Sequence, residues 1–232
     1  MNVVIIFLLI SVFVALLIVF VGYLTLSYFE FLDRERRIHK TSNEIDSLNA
    51  IELKGFEGEE QTNNLMEHII QPGEYYLRNL LIPVNEYKKA EIDGVLITRR
   101  GIFCIETKNW KGRLSGFDKD DMWYQRKCGK IKQLKNPVLQ NEYHRAAIEK
   151  LLSFDYEVCN CVILSSTLDL NHIVSDHVYN LESFKNHYSS IRKRKLSRRK
   201  VCLVCDRLSL YLATSEEIKN HRDKIRARVV PI

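Results

Sequence analysis

Apolar and polar positions along this 232-residue chain follow more than one period, and the changes of period mark its elements. Val3 to Leu26 reads VVIIFLLISVFVALLIVFVGYLTL, and no charged side chain occurs before Glu30. At ~1.5 Å per residue such a run can cross a ~30 Å hydrocarbon core, so a transmembrane helix is expected over 3–26. A cleaved signal peptide is the competing reading. Against it, the start lacks Lys and Arg, and the apolar run exceeds the usual ~7–15 residues. Charged positions then dominate from Glu30 to Leu53, with Ile38, Ile45, Leu48 and Ile51 spaced as in a helical stalk.

Beyond the stalk the helical period recurs over Glu57 to Ile70, where Leu65, Met66, Ile69 and Ile70 share a side and Pro72-Gly73 stops the helix. Strands are expected at Tyr75 to Val84, Glu91 to Thr98 and Ile102 to Lys108, the last two joined by an Arg99-Arg100-Gly101 turn. Shorter ones are expected at Gly112 to Gly116 and Met122 to Tyr124. Asn136-Pro137 opens a helix running to about Leu152, with Pro137 in its first turn. Val158 to Leu164 is a continuous apolar run, as in a strand buried on both faces. Helices over Leu181 to Ile191 and Ser215 to Arg228, and a last short strand at Val201 to Val204, complete the pattern. It predicts an α/β fold with a mixed central sheet and flanking helices, preceded by the transmembrane helix. The expected division is 3–26 membrane helix, 27–54 stalk, 55–178 main domain, and 179–232 a C-terminal extension packed on that domain.

Charge refines this picture. Lys and Arg number 35, Asp and Glu 29. Seven of the 35 lie in Arg192 to Lys200, which contains no acid, and without them 28 basic residues face 29 acidic ones. The surplus is thus a local patch, which suggests a phosphate partner. Arg192, Arg198, Arg199 and Lys200 are candidates for nucleic-acid contact, as are Lys111 and Arg113; the run would also suit a solvated loop or an anionic lipid surface. Arg34, Arg36, Arg37 and Lys40 follow the apolar span, so the positive-inside rule puts the bulk of the chain in the cytoplasm of a single-pass protein of the cell membrane. The six cysteines include Cys202-x-x-Cys205, half of a zinc-ribbon pattern whose other half is missing, while Cys104, Cys159 and Cys161 fall in strand-like runs as small core residues.

The candidate chemistry lies on EIDGVLIT and IFCIETK. If Arg99-Arg100 forms a two-residue turn, Thr98 faces Gly101 and Asp93 lands opposite Glu106, with Cβ atoms about 4.5–5.5 Å apart. Lys108 then shares that face. If Gly101 joins the turn, the register slips and the carboxylates part. Facing carboxylates repel, and a Mg²⁺ or Mn²⁺ ion with adjacent Lys108 would offset that, a set suited to metal-assisted phosphodiester hydrolysis. A solvated face with an incidental Asp/Glu/Lys cluster is the plain alternative.

EIDGVLITRRGIFCIETKNWKGRLSG, then Trp123, then NPVLQNEYHRAAIEKLL, resembles the nuclease-related (NERD) branch of the PD-(D/E)XK nuclease superfamily. Gly55-Phe56-Glu57-Gly58-Glu59 resembles that family's first motif, a G-x-x-G-E helix start, and the likeness extends over about Gly55 to Leu164. It implies a Mg²⁺-dependent enzyme that cuts DNA. Glu59, Asp93 and Glu106 would be the metal carboxylates and Lys108 the catalytic lysine. Gln140 would touch substrate or orient the site, and His144, one turn later, would touch phosphate. Without the resemblance, Glu59 is a first-turn acid favoured by the helix dipole, and Gln140 and His144 a solvated helix face. Trp123 reads as core; Trp110 would stack on a base or sit at the rim. Thr107 stands where the family more often has an aliphatic residue, and beyond about Val178 no family motif is assigned. The rival function is a non-catalytic nucleic-acid-binding or membrane-scaffold module on the same fold. RNA is the weaker substrate, since no RRM, KH or double-stranded RNA signature is present.

Overall fold

The computed structural model describes residues 16, 17, 20–32, 50–164 and 169–229. It divides into two units, Met1–Lys40 and Thr41–Ile232. In the first, residues 20–32 are helical. Most of the expected membrane span, and residues 33–49 of the expected stalk, lie outside the described residues. Among those described, no helix is long and apolar enough to cross a membrane.

The second unit is a mixed α/β fold. Its elements in chain order are α1 (Ala50–Ile69), β1 (Tyr75–Asn85), β2 (Lys88–Thr98), β3 (Gly101–Lys108), β4 (Arg113–Phe117), β5 (Met122–Lys127), β6 (Lys130–Lys135), α2 (Pro137–Leu151), β7 (Val158–Leu164), β8 (Asp169–Val174), β9 (Val178–Tyr179), α3 (Leu181–Ser190), α4 (Arg198–Ser209) and α5 (Ser215–Val229). One sheet has the order β1-β2-β3-β7-β9, the other β6-β5-β4-β8. In the first, β1, β2 and β3 run antiparallel, while β3-β7 and β7-β9 are parallel. The sequence patterning missed β6, β8 and β9, and it took Val201 to Val204 for a strand. That segment is helical, with Val201, Val204, Cys205 and Leu208 fully buried at i, i+3, i+4, i+7 and Ser197 accepting the Lys200 amide as N-cap.

Side-chain alternation divides the first sheet into two faces. Phe103 and Ile105 point to one, where they pack with Leu96, Cys161 and Ile163 against Met66 of α1 and Phe184 and Tyr188 of α3. Cys104 and Glu106 point to the other, under α2. The second sheet buries Leu114 and Trp123 against Val138 of α2 and Val162 and Leu164 of β7. Trp123 is core, its Nε1 donating to the Phe117 carbonyl at 3.0 Å. The open edge of β1 is closed by 211–213, which exchanges backbone hydrogen bonds with Asn79 and Leu81.

Helix α2 is set in place by asparagines. Asn136 accepts the Val138 amide at the helix start and donates to the carbonyls of Phe117, Asp118 and Asp120 in the β4-β5 turn. Asn141, fully buried, donates to the Cys104 carbonyl (3.0 Å) and to Asn160 Oδ1 (2.7 Å), while Asn160 donates to the Val138 carbonyl (3.0 Å). These bonds tie α2 to both β3 and β7. A buried polar network of this kind fixes rotation and height together, because any sliding leaves amides unpaired.

Candidate nuclease site at the end of β3

The β2-β3 turn has the two-residue form. Thr98 pairs with Gly101, and the ladder keeps that register to Gly94 with Ile105. The ladder ends there, and beyond it the Thr107 amide donates to the Asp93 side chain, at 2.8 Å to Oδ2. Asp93 and Glu106 are near enough for the charge of Glu106 to act on Asp93.

Glu106 is 1% exposed. Its Oε1 receives Lys108 Nζ at 2.5 Å and Gln140 Nε2 at 2.9 Å. Its Oε2 lies 3.2 Å from His144 Nδ1, out of hydrogen-bond alignment, and neither atom has another protein partner. Burial would raise the Glu106 carboxyl, but contacts with His144 and Lys108 outweigh it and hold it below the usual range. Lys108 shows the converse: burial would lower its ammonium, and the Glu106 and Asp93 carboxylates raise it instead. Asp93 is pushed well above the ordinary carboxylate range, by burial first and then by Glu106 and Glu59, against Lys108 and the Thr107 amide. One lysine thus serves two carboxylates, and Asp93 is left in excess.

Glu59 joins this field from α1. Burial raises its carboxyl, and the charges that act on it include Glu106 and Lys108 from β3, with Glu91 and Arg222 beside them. Gly58 makes the approach possible: a Cβ there would meet Asn109 Cβ at 2.6 Å, one residue past Lys108. Arg222 of α5 closes the rim, holding Glu91 Oε1 through Nε at 2.7 Å. Sequence reasoning passed over Arg222, Asn141 and Asn160, whose contacts are long-range and carry no local motif.

The remaining candidates separate. His144 is buried, whereas Gln140 is exposed with its amide reaching back to Glu106; both meet that carboxylate. Trp110 packs beside the Leu114–Trp123 core. The basic run lies at the opposite end of β3, where the Leu196 amide bonds the Arg99 carbonyl and Lys195 pairs with Glu157, just before β7. From Gly101 to Glu106 that is about 17 Å of strand. Arg192, Arg198, Arg199 and Lys200 are therefore not brought to the carboxylates.

Lys111 and Arg113 do lie close by, and they lead to another basic surface. Gly112 is four residues past Lys108, hence within about 14 Å of it. The Arg126 carbonyl packs so near Gly112 that a Cβ would meet it at 2.5 Å. Arg126 belongs to the β5-β6 hairpin, which carries Arg126, Lys127, Lys130, Lys132 and Lys135 and no acid from Met122 to Lys135. On the outer face of this second sheet, Arg113, Tyr124, Arg126, Ile131 and His172 line a groove of about 360 Å³.

Among the described residues no group of three or more His, Cys, Asp or Glu is arranged as a metal site. None of the six cysteines forms a disulfide, and burial pushes the Cys104 and Cys161 thiols well up, as in inert core residues. Two neighbouring carboxylates, Asp93 raised by burial and then by its acidic neighbours and Glu106 with a buried oxygen that has no hydrogen-bond partner, are hard oxygen donors of the kind that fit a divalent cation completed by water.

Residues 54–165 match the model of the nuclease-related domain, and this portion of the chain is such a domain. The chain is also similar to an uncharacterized protein of Bacillus anthracis, 24% identical over 151 residues, covering 65% of this chain and 70% of that one. No solved structure gives a significant match.

The charge imbalance makes a prediction in the absence of metal. Asp93 has a raised folded-state pKa and an unfolded value near the ordinary ~3.9. The native state thus binds the extra proton between those pH values, and stability rises as pH falls through that window. Asp93→Asn should stabilise the metal-free protein by on the order of 1 kcal/mol at neutral pH. The gain should vanish below about pH 4. Chemical denaturation in EDTA across pH checks this; a gain independent of pH, or a loss at neutral pH, contradicts it.

Proposed function

We propose that this chain is a membrane-anchored nuclease that hydrolyses DNA phosphodiester bonds with Mg²⁺ or Mn²⁺ at the end of β3. The observation that carries the reading is the buried Glu106 carboxylate, kept charged by His144 and Lys108 and bonded by Gln140, with the Asp93 carboxylate, raised by burial and then by its acidic neighbours, beside it. An isolated buried charge costs several kcal/mol. A solvated strand face would not need this enclosure.

Asp93 and Glu106 would hold the cation, with the Glu59 carboxylate of α1 adding negative charge nearby. When bound, the ion polarises a phosphoryl oxygen and lowers the pKa of a water. The chain's own groups do the rest. Gln140 donates to Glu106 and fixes the direction of its carboxylate. Lys108 carries a positive charge that ion-pairs with Glu106 and is placed to meet the negative charge developing on phosphate. His144 sets its imidazole ring against the remaining Glu106 oxygen, which restricts how far the carboxylate can turn.

Substrate contact is assigned to the β5-β6 hairpin together with Lys111 and Arg113. Lys111 and Arg113 follow Lys108 by three and five residues, and the hairpin packs on Gly112 between them, whereas the 192–200 run meets the opposite end of β3. Arg113 and Arg126 sit directly opposite in the ladder. Exposed Tyr124 gives the same face an aromatic surface for a base. The apolar run 3–26 supplies the anchor, with the domain on the cytoplasmic side.

Three outcomes test this reading. The full chain should cleave plasmid or linear DNA with Mg²⁺ or Mn²⁺ and not with EDTA. Glu106→Gln should bring cleavage to background, and Lys108→Ala should lower turnover by roughly 10²–10³ while metal binding persists. A folded chain that binds DNA and never cuts it leaves the binding-module reading instead. For the surface, replacing Arg126, Lys130 and Lys132 with Ala should flatten the salt dependence of DNA binding. The log–log slope should fall by up to ~0.9 for every duplex phosphate that the hairpin no longer neutralises. Replacing Arg198, Arg199 and Lys200 should leave that slope unchanged, and the reverse pattern would return the DNA surface to the basic run. Finally, a reporter fused after Ile232 should register in the cytoplasm; an external signal overturns the topology.

A further inference from the structure

The end of the first sheet remote from Glu106 holds a cavity of about 270 Å³, lined by Arg99, Arg100, Arg192 and Arg194 with Gln71 and Glu74. Its cations come from two rigid sources. Arg99 and Arg100 are the two residues of the β2-β3 turn, which the ladder and the Arg99 amide bond to Glu74 Oε1 (2.8 Å) hold in place. Arg192 and Arg194 lie on a short loop pinned at both ends, by the Ile191 amide on the Tyr188 carbonyl and the Leu196 amide on the Arg99 carbonyl.

The charges in this cavity do not balance. Glu74 is its one carboxylate, and both oxygens already accept backbone amides, from Arg99 and from Gln71. Arg100 is committed to the Tyr188 carbonyl at 2.7 Å and lies over the Tyr188 ring, 4.5 Å from its centroid. Arg99 Nε is buried and has no hydrogen-bond partner. Four guanidiniums around one engaged carboxylate repel each other, and a buried guanidinium donor without an acceptor is costly. Guanidinium forks match tetrahedral oxyanions, which accept two parallel N–H bonds per arginine.

We propose that this cavity is a phosphate-binding site, separate from the carboxylate site, for a phosphomonoester or diphosphate group. The group is carried by a soluble small molecule or by a lipid headgroup; the pocket chemistry is the same for both. The site does not depend on the nuclease reading, because its ligand is held about 17 Å along β3 from Glu106.

Calorimetric titration of the full chain in detergent tests it, with sodium pyrophosphate and a soluble short-chain phosphatidate as probes in metal-free buffer. At least one probe should bind with a Kd below about 1 mM. Arg194→Gln, at an exposed position that does not disturb the core, should weaken binding at least tenfold, and Arg99→Gln should do the same. Lys219→Gln removes an equal charge from an exposed position on α5 and should leave binding unchanged. Tighter phosphatidate binding identifies a lipid headgroup, tighter pyrophosphate binding a soluble ligand. No heat with either probe at millimolar concentration, or equal weakening in Arg194→Gln and Lys219→Gln, overturns the proposal. The readout is binding without cleavage, so it stands or falls apart from nuclease activity.

Discussion

Keeping Glu106 ionised inside the protein is the constraint from which the rest of the domain follows. A carboxylate with 1% exposure has lost its water, and only fixed donors replace it. Lys108 comes from the same strand two residues on, so the strand alone supplies it. Gln140 comes from α2, and it meets Glu106 only if α2 crosses β3 at one height and one rotation. The bonds of Asn141 to Cys104 and Asn160 impose that height, and Asn136 fixes the helix start on the β4-β5 turn. The second sheet is thereby coupled to the first through α2. The asparagines touch no candidate substrate atom. Their role is to keep a donor within 2.9 Å of one oxygen.

That arrangement satisfies one carboxylate and strains its neighbour. Asp93 and Glu59 both carry raised carboxyls, through burial first, with Lys108 acting on both and Arg222 acting on Glu59 as well as pairing with Glu91. A purely structural ion pair would gain by replacing Asp93 with a neutral residue. Holding these acids together is a stability cost.

The site was legible where local rules set long-range geometry. A two-residue turn fixes the register of the β2-β3 pair, so the ladder from Thr98–Gly101 to Gly94–Ile105 could be set from the numbers alone. Pro137 and Asn136 likewise announced α2. Legibility failed where the local signal was ambiguous. Val201 to Val204 is four apolar-rich residues, which suit a strand; only the wider spacing through Leu208 and the Ser197 cap favours a helix. The hairpin strand KIKQLK alternates weakly and exposes most of its side chains, so no period marked it. Asn141 and Asn160 are nineteen positions apart and pair through a parallel strand and a helix, a contact that no short pattern encodes. Charge counting failed for a related reason. It located one basic run because the hairpin's surplus is offset by acids elsewhere in the chain.

The two basic regions then divide between the ends of the first sheet, and this separation has a mechanical consequence. The hairpin is tied to the carboxylate end through Gly112, and the arginine cavity is tied to the β2-β3 turn. Strands β2 and β3 connect the two directly, with a continuous ladder from Thr98–Gly101 to Gly94–Ile105. Sheet strands resist compression and sliding because each shift moves every side chain off its face. The Arg99-Arg100 turn, already held by the ladder and by Glu74, and the strand ends that carry Asp93 and Glu106 therefore belong to one rigid pair of strands.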